Sequence, residues 1–323
     1  MLTRRALMAG AGAALLGGPA PAQDHTVRII AGFPAGGGID ISARLLVDPF
    51  KEALGQPVIV ENRVGAAGMI AANAVAKAPP DGRMMLVSTS GEIAIASHLY
   101  KEKTTYDVSK ELAPVTLIGI VPCVVVVNPA TPLHNPKELI DYAKANAGKL
   151  SFSSSGVGNP QQLAGELMNI MADINVLHVP YRGAAPAVTD VATGTVTMSF
   201  TSLAAAQGLM QAGKVRAVAV TSLDPMPQLP DVEPLQNGSP GLKSYELLNW
   251  FGCFTTGGTP AAMVNRYNEI VLKRLAEPKI AETLSTQGIV ARKMSPEQFR
   301  SFVESESKKF AGVIERAKIK LEN

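Results

Sequence analysis

The sequence predicts an α/β protein of two lobes, and three observations carry that expectation. Apolar strand-like runs alternate with amphipathic stretches along the chain. A strand, a Gly/Ser-rich loop and a helix start occur once in each half. The chain has 323 residues, of which 46% are hydrophobic and 18% charged, enough apolar residues for large buried cores and more length than one average domain needs.

Val27 to Ala31 reads as the first strand, and Ile41 to Leu54 as the first helix. Between them lies Phe33-Pro34-Ala35-Gly36-Gly37-Gly38-Ile39-Asp40. Three consecutive glycines remove the side chains that would keep a ligand from the backbone, and the first N–H groups of a helix have no partner of their own. With the positive end of the helix dipole, these donors are expected to receive an anion, most simply a carboxylate or phosphate. Asp40 has two readings, a helix cap or a partner for an amino group or water.

Pro57 to Val60 reads as a second strand, Ala66 to Ala78 as a helix, Pro79-Pro80-Asp81-Gly82 as a turn and Met84 to Ser88 as a third strand. This β-α-β-α-β order predicts a parallel sheet covered by helices. Val115 to Ile120 and the β-branched run Cys123 to Val127 follow as strands, closed by Pro129 and Pro132. The second half alternates again. Helices are expected over Pro136 to Ala147, Gln161 to Met171, Ala185 to Ala192 and Leu203 to Ala212, and strands over Leu150 to Ser153, Val176 to Val179, Val196 to Phe200 and Val215 to Val220. Trp250 to Thr255 is a further strand-like run, and Pro296 to Lys318 a terminal amphipathic helix that returns to the first lobe.

Ligands of open α/β sheets sit beyond the carboxyl ends of the strands, so two opposed sheets close a cleft on a small molecule from both sides. The glycine-rich loop and Ser154-Ser155-Gly156-Val157-Gly158-Asn159-Pro160 would face each other there. Ser88 and Thr89, Tyr181, Arg182 and Gly183, and Thr201 and Ser202 would complete the lining. Hydroxyls and backbone amides dominate, with Arg182 the nearby cation able to add a bidentate contact. Arg63, just after a strand, reads as a structural partner for a carboxylate, and Trp250 as a hinge-packing residue.

Other chemistries fit less well. A nucleotide phosphate loop requires Lys then Ser or Thr after the glycines, whereas Ile39-Asp40 follows Gly38. A dinucleotide fold would place Glu61 on a ribose, but the glycines are contiguous and not spaced G-x-G-x-x-G. Ser155 invites a hydrolase reading, yet the pattern is not G-x-S-x-G, and His178 has no acid placed beside it by sequence. His25, His98, His134 and His178 lack metal-ligand spacing, so no metal and no cofactor are expected. The formal charge is +3, and without Arg4 and Arg5 it is 28 basic against 27 acidic residues, which leaves no electrostatic footprint for DNA or other nucleic acid.

Those two arginines belong to an export signal. A basic start, an apolar stretch from Ala9 to Gly18 and Ala20-Pro21-Ala22 predict cleavage after Ala22, by the general or the twin-arginine route. Cys123 and Cys253 lie in apolar runs and read either as two buried thiols or as one disulfide between neighbouring strands.

Phe33 to Asp40, Leu54-Gly55-Gln56-Pro57-Val58-Ile59-Val60-Glu61-Asn62-Arg63 and Ala78-Pro79-Pro80-Asp81-Gly82 resemble the opening motifs of tripartite tricarboxylate transporter substrate-binding proteins, the Bug or TctC-like family. Ser154-Ser155-Gly156, Leu163-Ala164-Gly165-Glu166, His178-Val179-Pro180-Tyr181-Arg182-Gly183, Trp250-Phe251-Gly252 and Gly258-Thr259-Pro260 continue the likeness in order over essentially the whole mature chain. The resemblance implies a periplasmic, monomeric receptor of periplasmic-binding-protein fold. Residues 24–122 with 249–323 would form lobe 1 and 123–248 lobe 2, joined by crossover strands near Cys123 and Cys253. Such a receptor captures a small organic acid and presents it to an integral-membrane permease. The likeness further implies that Phe33 to Asp40 and Ser153 to Gly158 hold a carboxylate. Two departures from relatives, Gln162 in place of His and Thr197 in place of Asp, bear on the ligand and not on the fold.

Overall fold

The computed structural model describes residues 26–101 and 103–321; the expected export signal and cleavage after Ala22 lie outside the described residues. In chain order the elements are β1 (Val27–Ala31), α1 (Gly38–Arg44), α2 (Val47–Leu54), β2 (Val58–Asn62), α3 (Met69–Ala76), β3 (Met84–Thr89), a π-helical segment Gly91–Ile95, α4 (Ala96–Leu99), α5 (Val108–Glu111) and β4 (Leu112–Val127). Then follow α6 (Pro136–Ala145), β5 (Ser151–Ser154), α7 (Pro160–Ala172), β6 (Leu177–Pro180), α8 (Ala184–Ala192), β7 (Met198–Ser202), α9 (Leu203–Gln211) and β8 (Arg216–Val220). The chain closes with β9 (Leu248–Thr256), α10 (Ala261–Leu275), α11 (Pro278–Thr286), β10 (Val290–Ala291) and α12 (Pro296–Arg316).

Two sheets share one strand. β2, β1 and β3 run parallel, and β9 then β4 continue that sheet antiparallel. The second sheet holds β7, β5 and β6 in parallel order, with β7 and β8 both antiparallel to β4. β4 has 16 residues: Leu112 to Pro122 pair with β9, and Cys123 to Val127 pair with β7 and β8. This is a two-lobed α/β fold.

The sequence divides this region into two strands, Val115 to Ile120 and Cys123 to Val127, and the structure joins them. Pro122 sits opposite Leu248 at the last β9 pairing, where the ladder changes partners, and Pro114 sits beside a register shift. A proline costs no ladder bond at such places. Conversely, the expected helix over Ile41 to Leu54 is broken between Arg44 and Val47. Pro49 has no N–H to give the Leu45 carbonyl, and Arg274 Nε donates to that oxygen instead at 3.0 Å. The helix expected from Ala66 begins at Met69, because Ala66 and Ala67 adopt positive φ in a tight turn.

α12 is anchored by an aromatic cluster. Trp250 of β9 is fully buried, with its ring edge-on to Phe299 at 5.9 Å and to Phe302 at 5.7 Å. The same helix packs on β4 and the π-helical segment of the first sheet's lobe and on α7 of the other. Cys123 and Cys253 are free, buried thiols, each pushed up to about 12 by burial. Among the described residues no helix is long and apolar enough to cross a membrane.

Candidate functional site

A cavity of about 220 Å³ lies between the lobes. The first lobe contributes Phe33, Ala67, Thr89, Gly91, Tyr100 and Asn249 of β9, the shared strand β4 Val121, Pro122 and Cys123, and the second lobe Ser155, Val157 to Gln161 and Ser202. Two helices of the second lobe begin here. Asn159 caps α7, its side chain accepting the Gln162 N–H, and Ser202 caps α9, accepting the Ala205 N–H. Helix N-termini present partial positive charge and unpaired N–H groups.

The side-chain hydrogen bonds turn donors toward this space. Asn249 Oδ1 accepts from Ser90 Oγ at 2.8 Å and from the Trp250 N–H at 2.9 Å, which leaves its amide –NH2 uncommitted. Gln161 Oε1 accepts the Ser155 N–H at 2.8 Å, leaving its amide nitrogen likewise. Ser155 Oγ accepts from Asn159 Nδ2 at 2.9 Å, so its own hydrogen remains to be given. Among the described residues no Asp, Glu, Lys or Arg lines the cavity. The arrangement is chemically a neutral cage of donors, which suits an anion.

Of the residues singled out from sequence, Phe33, Thr89, Ser155, Gly158 and Ser202 line this cavity. Pro34, Ala35, Gly36 and Gly37 are exposed outside it, Gly38 is partly exposed, and Asp40 is 2% exposed. Asp40 accepts the Gly36 N–H at 3.0 Å, Arg44 Nε at 2.8 Å and Asn62 Nδ2 at 3.0 Å. The Arg44 guanidinium above all, with Gly36 and Asn62, holds its carboxyl at about 2 against burial. A carboxylate built into the chain thus occupies the start of α1. Gly37 is the N-cap residue, and Asp40 in the first turn reaches back to the Gly36 N–H, a capping contact made from inside the helix.

Ser88 is buried in β3 with its hydroxyl on the Gly252 carbonyl, and Ser153 is buried with its hydroxyl on the Ala187 carbonyl. Gly156 and Gly183 shape the loop through positive φ of 149° and 120°, and the Gly183 N–H donates to the Ser155 carbonyl. Tyr181 donates its hydroxyl to Asp190, Arg182 is exposed, and Thr201 is buried in β7 with its hydroxyl unpartnered. Gln162 Oε1 receives the Gly158 N–H at 2.7 Å, and Thr197 Oγ1 the Ser151 N–H at 3.3 Å. Glu61 is paired with Arg28 and Arg63.

The serine beside His178 is Ser154, not Ser155, at 2.7 Å from Nε2. Ser154 is fully buried, burial lowers His178 to about 4, and no carboxylate bonds the ring among the described residues. No cluster of His, Cys, Asp and Glu able to hold a metal occurs among the described residues.

Sequence reasoning gave Asn159 no role of its own and missed Gln161 and Asn249, and a signal existed for the first two: Asn-Pro-Gln after a glycine loop is a helix start with a capping residue. Asn249 offered none, since its role depends on contacts with Ser90 and the backbone of Trp250.

The model of the family described as "Tripartite tricarboxylate transporter family receptor" matches residues 42–319. A relative from Pseudomonas sp. (strain P51), the UPF0065 protein in the tcbD-tcbE intergenic region, is 35% identical, the match covering 96% of this chain and 94% of that one. The structure of Rpa4515 from R. palustris with adipate is 31% identical with a TM-score of 0.77, covering 91% of this chain and 98% of that one. That of the periplasmic binding protein BugD is 31% identical with a TM-score of 0.73, covering 92% and 99%. The chain belongs to the tripartite tricarboxylate transporter receptor family, the Bug and TctC-like periplasmic solute-binding proteins.

Proposed function

We propose that this receptor captures a small organic carboxylate between residues 24–122 with 249–323 and residues 123–248, and that it does so without altering the ligand chemically. The observation that carries the reading is the cavity lining: the starts of α7 and α9, the Ser155 hydroxyl and the Gln161 and Asn249 amides supply donors from both lobes, and no fixed charge among the described residues of the lining competes with them. Rpa4515, similar over nearly the whole chain, carries adipate. A ligand ammonium group would find no carboxylate among the described residues of the lining, so the reading favours di- or tricarboxylates and aromatic acids over amino acids. A cavity of about 220 Å³ suits a small acid, below the roughly 300–1,000 Å³ of drug-sized sites.

Phe33, Thr89, Ser155, Gly158 and Ser202, with Tyr100, Asn159, Gln161 and Asn249, form the proposed contact set. The glycines of the first loop and Tyr181 to Gly183 would position it. Capture would close the lobes about the shared strand β4, and the loaded, monomeric protein, exported after loss of residues 1–22, would present the acid to an integral-membrane permease. The test is a thermal-shift panel of organic acids followed by calorimetry and mass analysis of the recovered ligand. Stabilisation with the acid recovered intact supports the reading; turnover, or no response to any acid, overturns it.

A further inference from the structure

Thr89 is the polar residue of the cleft whose hydrogen is turned away. Its hydroxyl donates to Glu92 Oε2 at 2.6 Å, its backbone N–H donates to Glu92 Oε1 at 2.7 Å, and its Oγ1 accepts the Gly91 N–H at 2.9 Å. While Glu92 is ionised, Thr89 offers the cleft only an oxygen lone pair, which repels a carboxylate. Glu92 itself is 1% exposed and makes no contact with the cavity.

We infer that Glu92 takes up a proton when a carboxylate settles against Thr89. This rests on the carboxylate reading above. The proton comes from solvent and bonds to Oε2; that new O–H donates to Thr89 Oγ1, whose own hydrogen rotates into the cleft and is given to the ligand. Oε1 keeps the Thr89 N–H, and Oγ1 keeps the Gly91 N–H. No bond between heavy atoms forms or breaks, and every polar group ends with a partner. Glu92 is therefore a positioning residue, acting on the ligand through Thr89.

The surroundings suit such a change of charge. Burial pushes Glu92 up to about 7, against the opposing pull of the two Thr89 hydrogen bonds. β3, the turn Ala66–Gly68 and α3 carry no titratable side chain. Tyr106 places its hydroxyl on the Glu92 carbonyl oxygen, His98 of α4 faces Ser307 of α12, and Glu306 of α12 is paired with Lys309. Lys101, Asp107, Arg300, Glu304 and Lys308 line, with Ile93, a separate hollow. Among the described residues no cation offsets the Glu92 charge. The spacing Thr89-Ser90-Gly91-Glu92 is also that of a capping box, whose acid needs only to accept the Thr89 N–H and could do so at a solvated helix end. The nearly complete enclosure of the acid is what a cap alone does not require.

Calorimetry decides the matter. Adipate and every acid that raises Tm in the panel would be titrated between pH 6 and pH 9 in buffers of different ionisation heat. The expected result is uptake approaching one proton per ligand at the alkaline end, and affinity falling about tenfold per pH unit there and levelling off below neutral pH. In Glu92→Gln the amide supplies the donor to Thr89 Oγ1 permanently, so proton uptake and the pH slope both disappear. Acid binding by the wild-type protein with buffer-independent heat and a flat pH profile overturns the inference and leaves the receptor reading standing, as does undiminished proton uptake by Glu92→Gln. Failure of every acid to bind overturns the receptor reading itself, and this inference with it.

Discussion

Gly158→Ala separates local strain from closure of the cleft. Gly158 lies at φ +74°, where a side chain is strained, and an added Cβ would stand 2.8 Å from Leu99 Cδ1 across the lobes. The backbone term is roughly 1–2 kcal/mol and is present whether or not the lobes are together. The contact with Leu99 acts only where the loop before α7 meets α4. Because Cδ1 is the free end of a flexible side chain, its cost falls at the low end of overpacking, about 1 kcal/mol. The unliganded variant should therefore melt a few degrees lower, and its affinity for the acid, measured by calorimetry, should fall about fivefold. Adding Leu99→Ala should restore affinity relative to Leu99→Ala alone while leaving the lowered Tm in place. Unchanged affinity in Gly158→Ala, or a loss that Leu99→Ala does not rescue, would refute closure of this loop on α4.

Two further substitutions test the frame around the cleft. Asn159→Ala removes the cap of α7 and the donor to Ser155, so stability should drop by about 1 kcal/mol and affinity should fall with it; Asn135→Ala, which removes the equivalent cap of α6 outside the cavity, should cost similar stability and no affinity, as read by urea unfolding and calorimetry. Asp40 is held at about 2 against an ordinary 3.8, so it contributes about 2 kcal/mol that is fully present above pH 4 and is lost as pH falls toward 2. Asp40→Asn should therefore lower the urea midpoint at pH 7 and converge with the wild-type protein near pH 2; parallel curves at all pH values would contradict the assignment.

The fold was largely legible because its elements are local: alternating apolar runs, prolines and glycines mark where strands and helices start and stop. What escaped was decided by neighbours. Pro122 looks like a strand breaker until β4 is seen to change partners there, and Ile41 to Leu54 looks like one helix until Arg274 is seen on the Leu45 carbonyl. The sequence reading leaves α10 and α11 out, although Gly257-Gly258-Thr259-Pro260 stands directly before the first and Gly288 just after the second. At the site, the sequence points to amide and hydroxyl donors but cannot say which are already spent. The glycine-rich loop draws the eye, yet its Gly36 amide serves Asp40, whereas Asn159, Gln161 and Asn249 become donors only through partners that fix their oxygen ends. Glu92 was hidden for the same reason, its neighbour Thr89 being visible and its burial not.

The most direct measurement is a crystal structure of the protein with the acid that raises Tm most. The expected result is an intact carboxylate within hydrogen-bonding distance of Ser155 and Gln161 from one lobe and of Thr89 or Asn249 from the other side of the cleft. An acid seated outside this cavity, or density for a converted product, would contradict the account.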